Sequence, residues 1–132
     1  MTQSPVNDYA QQIKGKTGIR RIINACGYSL AGFRAACSEA AFRQLLWLNG
    51  VLLILVLVLD LGVSSRMMLV MASALSLIVE LFNTALEAAV DYTSTEYHPL
   101  AKRAKDVASA AQMIVLILLA ILWLLALCYD WH

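Results

Sequence analysis

MMLVMASALSLIVELFNTALEAAVD, residues 67–91, is the stretch on which the fold turns. It has the length of a bilayer-crossing helix, for which about 20 predominantly apolar residues suffice. Yet it carries Ser73, Ser76, Glu80, Asn83, Glu87 and Asp91. At about 100° per residue, Glu80, Asn83, Glu87 and Asp91 fall within one stripe ~80° wide, and the two serines extend it. Hydrogen-bonding glue between helices would account for Asn83 and the serines. Two glutamates at depth exceed that need, because a carboxylate in hydrocarbon is costly and marks a functional face.

The rest of the chain reads as membrane protein as well. Of 132 residues, 61% are hydrophobic and 14% charged, with a mean hydropathy of +0.70. A soluble domain carries about 25% charged residues. A formal net charge of +1 leaves no basic excess for nucleic acid. Leu45–Leu59 is a second apolar run, extending to Val63 across Asp60, and Ala108–Trp131 is a third. Between the first two spans lies only the Asp60–Ser65 turn, which makes them antiparallel neighbours; between the last two lies the polar segment Tyr92–Asp106, expected to be a loop. Ahead of the spans, Ile19, Ile22, Ile23, Cys26, Leu30 and Phe33 recur at helical spacing, with Arg20, Arg21, Asn24 and Arg34 elsewhere. This segment is too polar to span and reads as a basic amphipathic helix on the membrane surface.

The expected fold is therefore all-α and integral to the membrane, with three transmembrane helices and an N-terminal amphipathic surface helix. Residues 1–18 are expected to be a mobile tail and 19–132 a single membrane domain, with the surface helix at about 19–43 and the spans at about 45–63, 66–91 and 107–129. Gly15-Lys16-Thr17 resembles the end of a phosphate-binding loop, but Ala10 stands where the first glycine belongs and no strand precedes it, so it reads as linker. The first 40 residues hold no continuous apolar run and no small-residue cleavage site, so the chain is expected to be anchored by its own spans. Cys26, Cys37 and Cys128 follow no metal spacing and are expected to be reduced.

Nine of the ten Lys and Arg residues lie before the first span or in the Tyr92–Asp106 segment, with Arg66 alone at the short turn. The positive-inside rule then predicts a cytoplasmic N-terminus and long loop, and a periplasmic C-terminus. Asp91 falls at the cytoplasmic interface, Glu87 about 6 Å deeper and Glu80 about 16 Å deeper. Such a ladder suits a proton or cation pathway, or a site that holds a divalent cation and activates a lipid hydroxyl. The flanks favour the second. Glu39 lies just before the first span, and Glu96-Tyr97-His98 and Lys102-Arg103-Ala104-Lys105-Asp106 lie at the same level. Acids for a metal, bases for phosphates and a carboxylate for the attacking hydroxyl are the parts of phosphoryl transfer.

Several stretches carry a family resemblance: Arg21–Ser29, Glu39-Ala40-Ala41-Phe42-Arg43-Gln44, the E-x-x-N-x-x-x-E-x-x-x-D stripe over 80–91, Glu96-Tyr97-His98, and Ala101–Ala111 with its Ala104-Lys105-Asp106 core. In these the chain resembles the bacterial diacylglycerol kinases, small three-helix lipid kinases, from about Arg20 to the C-terminus. The resemblance implies an ATP- and Mg2+-dependent enzyme of the bacterial inner membrane that phosphorylates diacylglycerol, working as a homotrimer with sites shared between subunits. It further implies that Glu80 is the general base and that Glu39 and Glu87 bind the nucleotide's metal. Lys105 and Asp106 would contact phosphate, and Glu96, Tyr97 and His98 would form the loop that holds the nucleotide. Arg21 and Tyr28 would sit on the nucleotide side, Arg21 also toward the substrate, and Asn83 and Ser109 would line the lipid site. The role of Asp91 stays open.

Some residues depart from the family pattern. Leu45 stands where many members carry Glu and Leu30 where Trp is common. Cys37-Ser38 is one residue short, and Pro99 interrupts the loop. These bear on which lipid is preferred, so undecaprenol is an alternative substrate. A small cation-coupled transporter is a remote alternative, because the first span holds no acid and Lys105-Asp106 would have no task there.

Overall fold

The structure, a computed structural model, describes residues 18–93 and 96–130. The expected tail up to residue 17, with Gly15-Lys16-Thr17, lies outside the described residues, as does Trp131. Four helices account for nearly all that is described: α1 (Ile19–Ser38), α2 (Ala40–Val58), α3 (Val63–Thr93) and α4 (Pro99–Asp130). Three of them, α2, α3 and α4, are long and apolar enough to cross a membrane, with mean hydropathies of 2.0, 1.8 and 2.8 over their most apolar windows. The protein is an all-α integral membrane protein with a shorter, more polar helix at its N-terminal side.

The chain divides after Ala35 into two compact units. In the first, Gly18 adopts φ +73, a conformation that suits glycine, and its carbonyl accepts from the Arg21 N–H at 3.0 Å to open α1. Along α1, Ile19, Ile22, Ile23, Leu30 and Phe33 are exposed, as an interfacial helix requires of its apolar face.

The second unit begins at Ala36. Glu39 is extended (φ −79, ψ 134) and ends one helix as it caps the next, without a side-chain cap bond of its own. The Arg43 guanidinium donates to the carbonyls of Cys37 (3.1 Å) and Ser38 (2.6 Å). Those carbonyls lie at the α1 terminus, where no further helical turn can satisfy them.

Helices α2 and α3 are joined by residues 59–62 alone, a connection too short for anything but antiparallel neighbours. Arg66 donates to the Leu59 carbonyl at 3.2 Å, and the Gly62 N–H donates to Asp130 Oδ2 at 3.0 Å, tying the far end of α4 to this turn. Beside it lies the core: Val56, Leu61, Leu69, Ala72, Leu119, Trp123 and Ala126. Small residues at 72 and 126 let helices approach where lipid offers no hydrophobic drive. Along the α2–α3 seam, Asn49 Nδ2 donates to Leu45 O and to Ser76 Oγ, both at 3.0 Å, and Ser76 Oγ donates to Ser73 O at 2.7 Å.

The segment expected as a loop over 92–106 is mostly helix. Helix α3 runs on to Thr93 and α4 starts at Pro99. Pro99 interrupts nothing: it occupies the first helical position, where a missing N–H is harmless and the fixed φ is helical. His98 is the cap, its Nδ1 accepting from the Leu100 N–H at 3.2 Å, and its carbonyl accepts from Lys102 N at 3.0 Å. The Lys102–Asp106 pair at 2.6 Å spans one turn of the new helix, a spacing that supports helicity. At 31 and 32 residues, α3 and α4 reach about 46–48 Å, well beyond a ~30 Å hydrocarbon core.

Candidate active site

The residues picked out along α3 differ sharply in their surroundings. Glu80 is 5% exposed and follows Ser73 and Ser76 on the buried side of the helix. Asn83, one turn on, is half-buried, and its Oδ1 has no partner among the described protein atoms. Glu87 and Asp91 are exposed. Glu87 lies about two turns beyond Glu80 along the same helix. The stripe thus runs from a buried carboxyl to open ones over about 16 Å.

At its open end, Asp91 Oδ1 receives the Lys105 ammonium at 2.6 Å, joining α3 to α4. A cavity of about 460 Å³ is lined here by Asp91, Glu96, Tyr97, His98, Lys102 and Lys105, with Val90 and Ala101. A second of similar volume shares Glu96, Tyr97 and His98 and continues along Leu100 and Ala104. His98 shapes both through the cap it gives α4. Tyr97 is 79% exposed, its ring presented at the cavity rim.

Of the residues picked out from sequence, the structure gathers Asp91, Glu96, Tyr97, His98 and Lys105 around one cavity. Asp106 is one residue away but turned to Lys102. Ser109 is exposed on α4, as Glu39 is at the α2 cap. Arg21 and Tyr28 are exposed residues of the first unit. Two features were missed. The Asp91–Lys105 pair gives Asp91 a contact that sequence left open. Asn49, the lone polar side chain within the first apolar run, was passed over although polar residues at membrane depth are rarely idle.

Among the described residues no three His, Cys, Asp or Glu side chains gather to hold a metal. A magnesium ion carried by a nucleotide takes one or two carboxylates plus phosphate oxygens and water rather than an all-protein cage. Glu87 and Glu39 have the oxygen chemistry for this, and both are exposed.

Residues 27–127 match the family described as prokaryotic diacylglycerol kinase. A diacylglycerol kinase of Pseudomonas aeruginosa is 52% identical over 111 residues, covering 83% of this chain and 90% of that protein. One from Escherichia coli K12 is 46% identical over 116 residues, covering 84% and 92%. One from Helicobacter pylori is 42% identical over 119 residues, covering 89% and 92%. A buried glutamate leading along one helix to a charged cavity, in a chain so similar over its length to these proteins, identifies it: the chain belongs to the prokaryotic diacylglycerol kinase family.

Proposed function

We propose that this lipid kinase transfers the γ-phosphoryl group of ATP to diacylglycerol, giving phosphatidic acid, in a magnesium-dependent reaction at the cytoplasmic face of a bacterial inner membrane. The observation that carries this reading is the burial of Glu80 at depth on the same helix that ends in the Asp91–Lys105 cavity. A lipid hydroxyl reaches the first from within the membrane, and a nucleotide reaches the second from water.

In the proposed step the hydroxyl oxygen of diacylglycerol attacks the γ-phosphorus in line. A new O–P bond forms, the bond to the β–γ bridging oxygen breaks, ADP leaves, and the hydroxyl proton passes to the Glu80 carboxylate. Asn83 lines the lipid site beside that carboxylate, its Oδ1 without a partner among the described protein atoms. Lys105 exchanges Asp91 for a nucleotide phosphate and, with Asp106, fixes the phosphates. Glu96, Tyr97 and His98 bound the nucleotide's cavity; Arg21 and Tyr28 would contact the nucleotide, Arg21 also the lipid. Ser109 lines the lipid path. Glu39 and Glu87 would hold the magnesium ion, which when bound offsets the phosphate charge.

The exposure of Glu87 and Ser109 along helices read as spanning, together with the large exposed apolar surface, supports assembly as a homotrimer in which neighbours complete each site. Polar side chains on a spanning segment need cover from lipid. The distribution of basic residues supports a cytoplasmic N-terminus and a periplasmic C-terminus.

The test uses purified protein in mixed micelles with labelled ATP, diacylglycerol and undecaprenol side by side. Preferred labelling of diacylglycerol supports the proposal; preference for undecaprenol would replace the lipid. Glu87→Gln should lose magnesium-dependent nucleotide binding.

A further inference from the structure

In the seam between α2 and α3 lies a polar cluster that the phosphoryl-transfer reading does not use. Asn49, Ser73 and Ser76 are 1%, 2% and 0% exposed, and all three sit within helices long enough to span. Their hydrogen bonds can be accounted for atom by atom. Asn49 spends both amide hydrogens, one on Leu45 O and one on Ser76 Oγ. Ser76 spends its single hydroxyl hydrogen on Ser73 O. That leaves Asn49 Oδ1 and Ser73 Oγ, both buried and neither with a partner among the protein atoms.

The two remaining needs are complementary. An amide oxygen only accepts, whereas a serine hydroxyl has a hydrogen to give and lone pairs to fill. The two are not hydrogen-bonded to each other. Leaving both orphaned in a membrane interior, where no bulk solvent can compensate, is strongly unfavourable. At 1–2% exposure, no lipid headgroup, nucleotide or side chain of another subunit can reach them. A molecule that both donates and accepts, and is small enough to be enclosed by two helices, is required.

We infer that the α2–α3 seam holds a buried water-binding site, in which one water molecule donates to Asn49 Oδ1 and accepts from the Ser73 hydroxyl. Buried waters typically make about three hydrogen bonds to such otherwise unsatisfied groups. The Asn49–Ser76 bond closes the site on the side nearer Glu80, which lies one turn, about 6 Å, farther along α3. The polar face of α3 is thereby continued past the buried carboxyl by about two turns, with bound water rather than hydrocarbon as its neighbour. This site stands whether or not the kinase reading does, since it rests on residues outside the proposed machinery.

The test is water-to-protein magnetisation transfer by solid-state NMR on the full chain in phosphatidylcholine bilayers. Transfer is expected at the Asn49 side-chain amide and at Ser73, and not at Val56 or Leu69 in the neighbouring core. Ser73→Val, which removes the hydroxyl and fills its space, should cut the Asn49 transfer at least fivefold; Ser73→Thr, which keeps the hydroxyl, should retain it. Absence of transfer at either residue in the unaltered protein overturns the site, and that arm needs no variant to fold. Transfer at Asn49 that survives Ser73→Val overturns the assignment of Ser73.

Discussion

At the α2–α3 turn, Val56, Leu61, Leu69, Trp123 and Ala126 close into a core, and Asp130 reaches back to Gly62 across the chain's second unit. At the other end, past Glu80, neither α3 nor α4 buries a residue fully until Val115. There the link between the two helices is the Asp91–Lys105 ion pair, while the Lys102–Asp106 pair lies along α4. The same helices thus form a packed clamp at one end and an open, charged fork at the other. Van der Waals contact in the clamp costs nothing in adaptability because nothing has to enter. The fork leaves its polar groups exposed, where the ligands of the proposed reaction could replace their present partners.

The contrast can be broken or sharpened by substitution. The largest effect is expected at the boundary: Glu80→Gln should lower turnover by about 10²–10⁴-fold while nucleotide binding stays within about twofold, measured by kinase assay and ATP titration. Unchanged turnover would remove Glu80 as the base. Next, Leu69→Ala in the clamp should cost about 2–5 kcal/mol of stability, read from reversible unfolding in micelles, with turnover per folded molecule nearly unaltered. In the fork the pattern should invert. Lys105→Ala should raise the ATP KM by about 10- to 100-fold, from the loss of a charge-assisted hydrogen bond of about 1.5–3 kcal/mol, with little change in unfolding. The smallest effect is expected from His98→Ala, which removes a helix cap worth about 0.5–2 kcal/mol. It should appear as faster amide hydrogen exchange confined to Leu100–Lys102.

The three spans were legible because lipid imposes one rule on twenty residues at a time, and runs such as 45–59 and 108–131 obey it without ambiguity. Helix limits depend on single residues and were harder. Pro99 read as an interruption, because whether proline ends a helix or begins one depends on the capping partner, here His98. The acidic stripe was visible as spacing within one helix. The Asp91–Lys105 pair was not, since it is fixed by how two antiparallel helices come together across residues 94–98. Asn49 was readable in principle as a lone amide in an apolar run, but only its bond to Ser76 says which helix it serves.

The ion pairs of the fork carry a kinetic consequence. Over residues 91–106, Lys102, Arg103 and Lys105 are matched in number by Asp91, Glu96 and Asp106, so this segment adds little net field of its own. Without such a field, electrostatic steering adds little to encounter rates. In the proposed reaction a phosphate arriving at Lys105 would trade places with the Asp91 carboxylate, so much of its attraction would be offset by the bond it displaces. Nucleotide capture built this way is a swap of anions: its association rate should vary little with ionic strength, and release should be quick because Asp91 stands ready to take the lysine back.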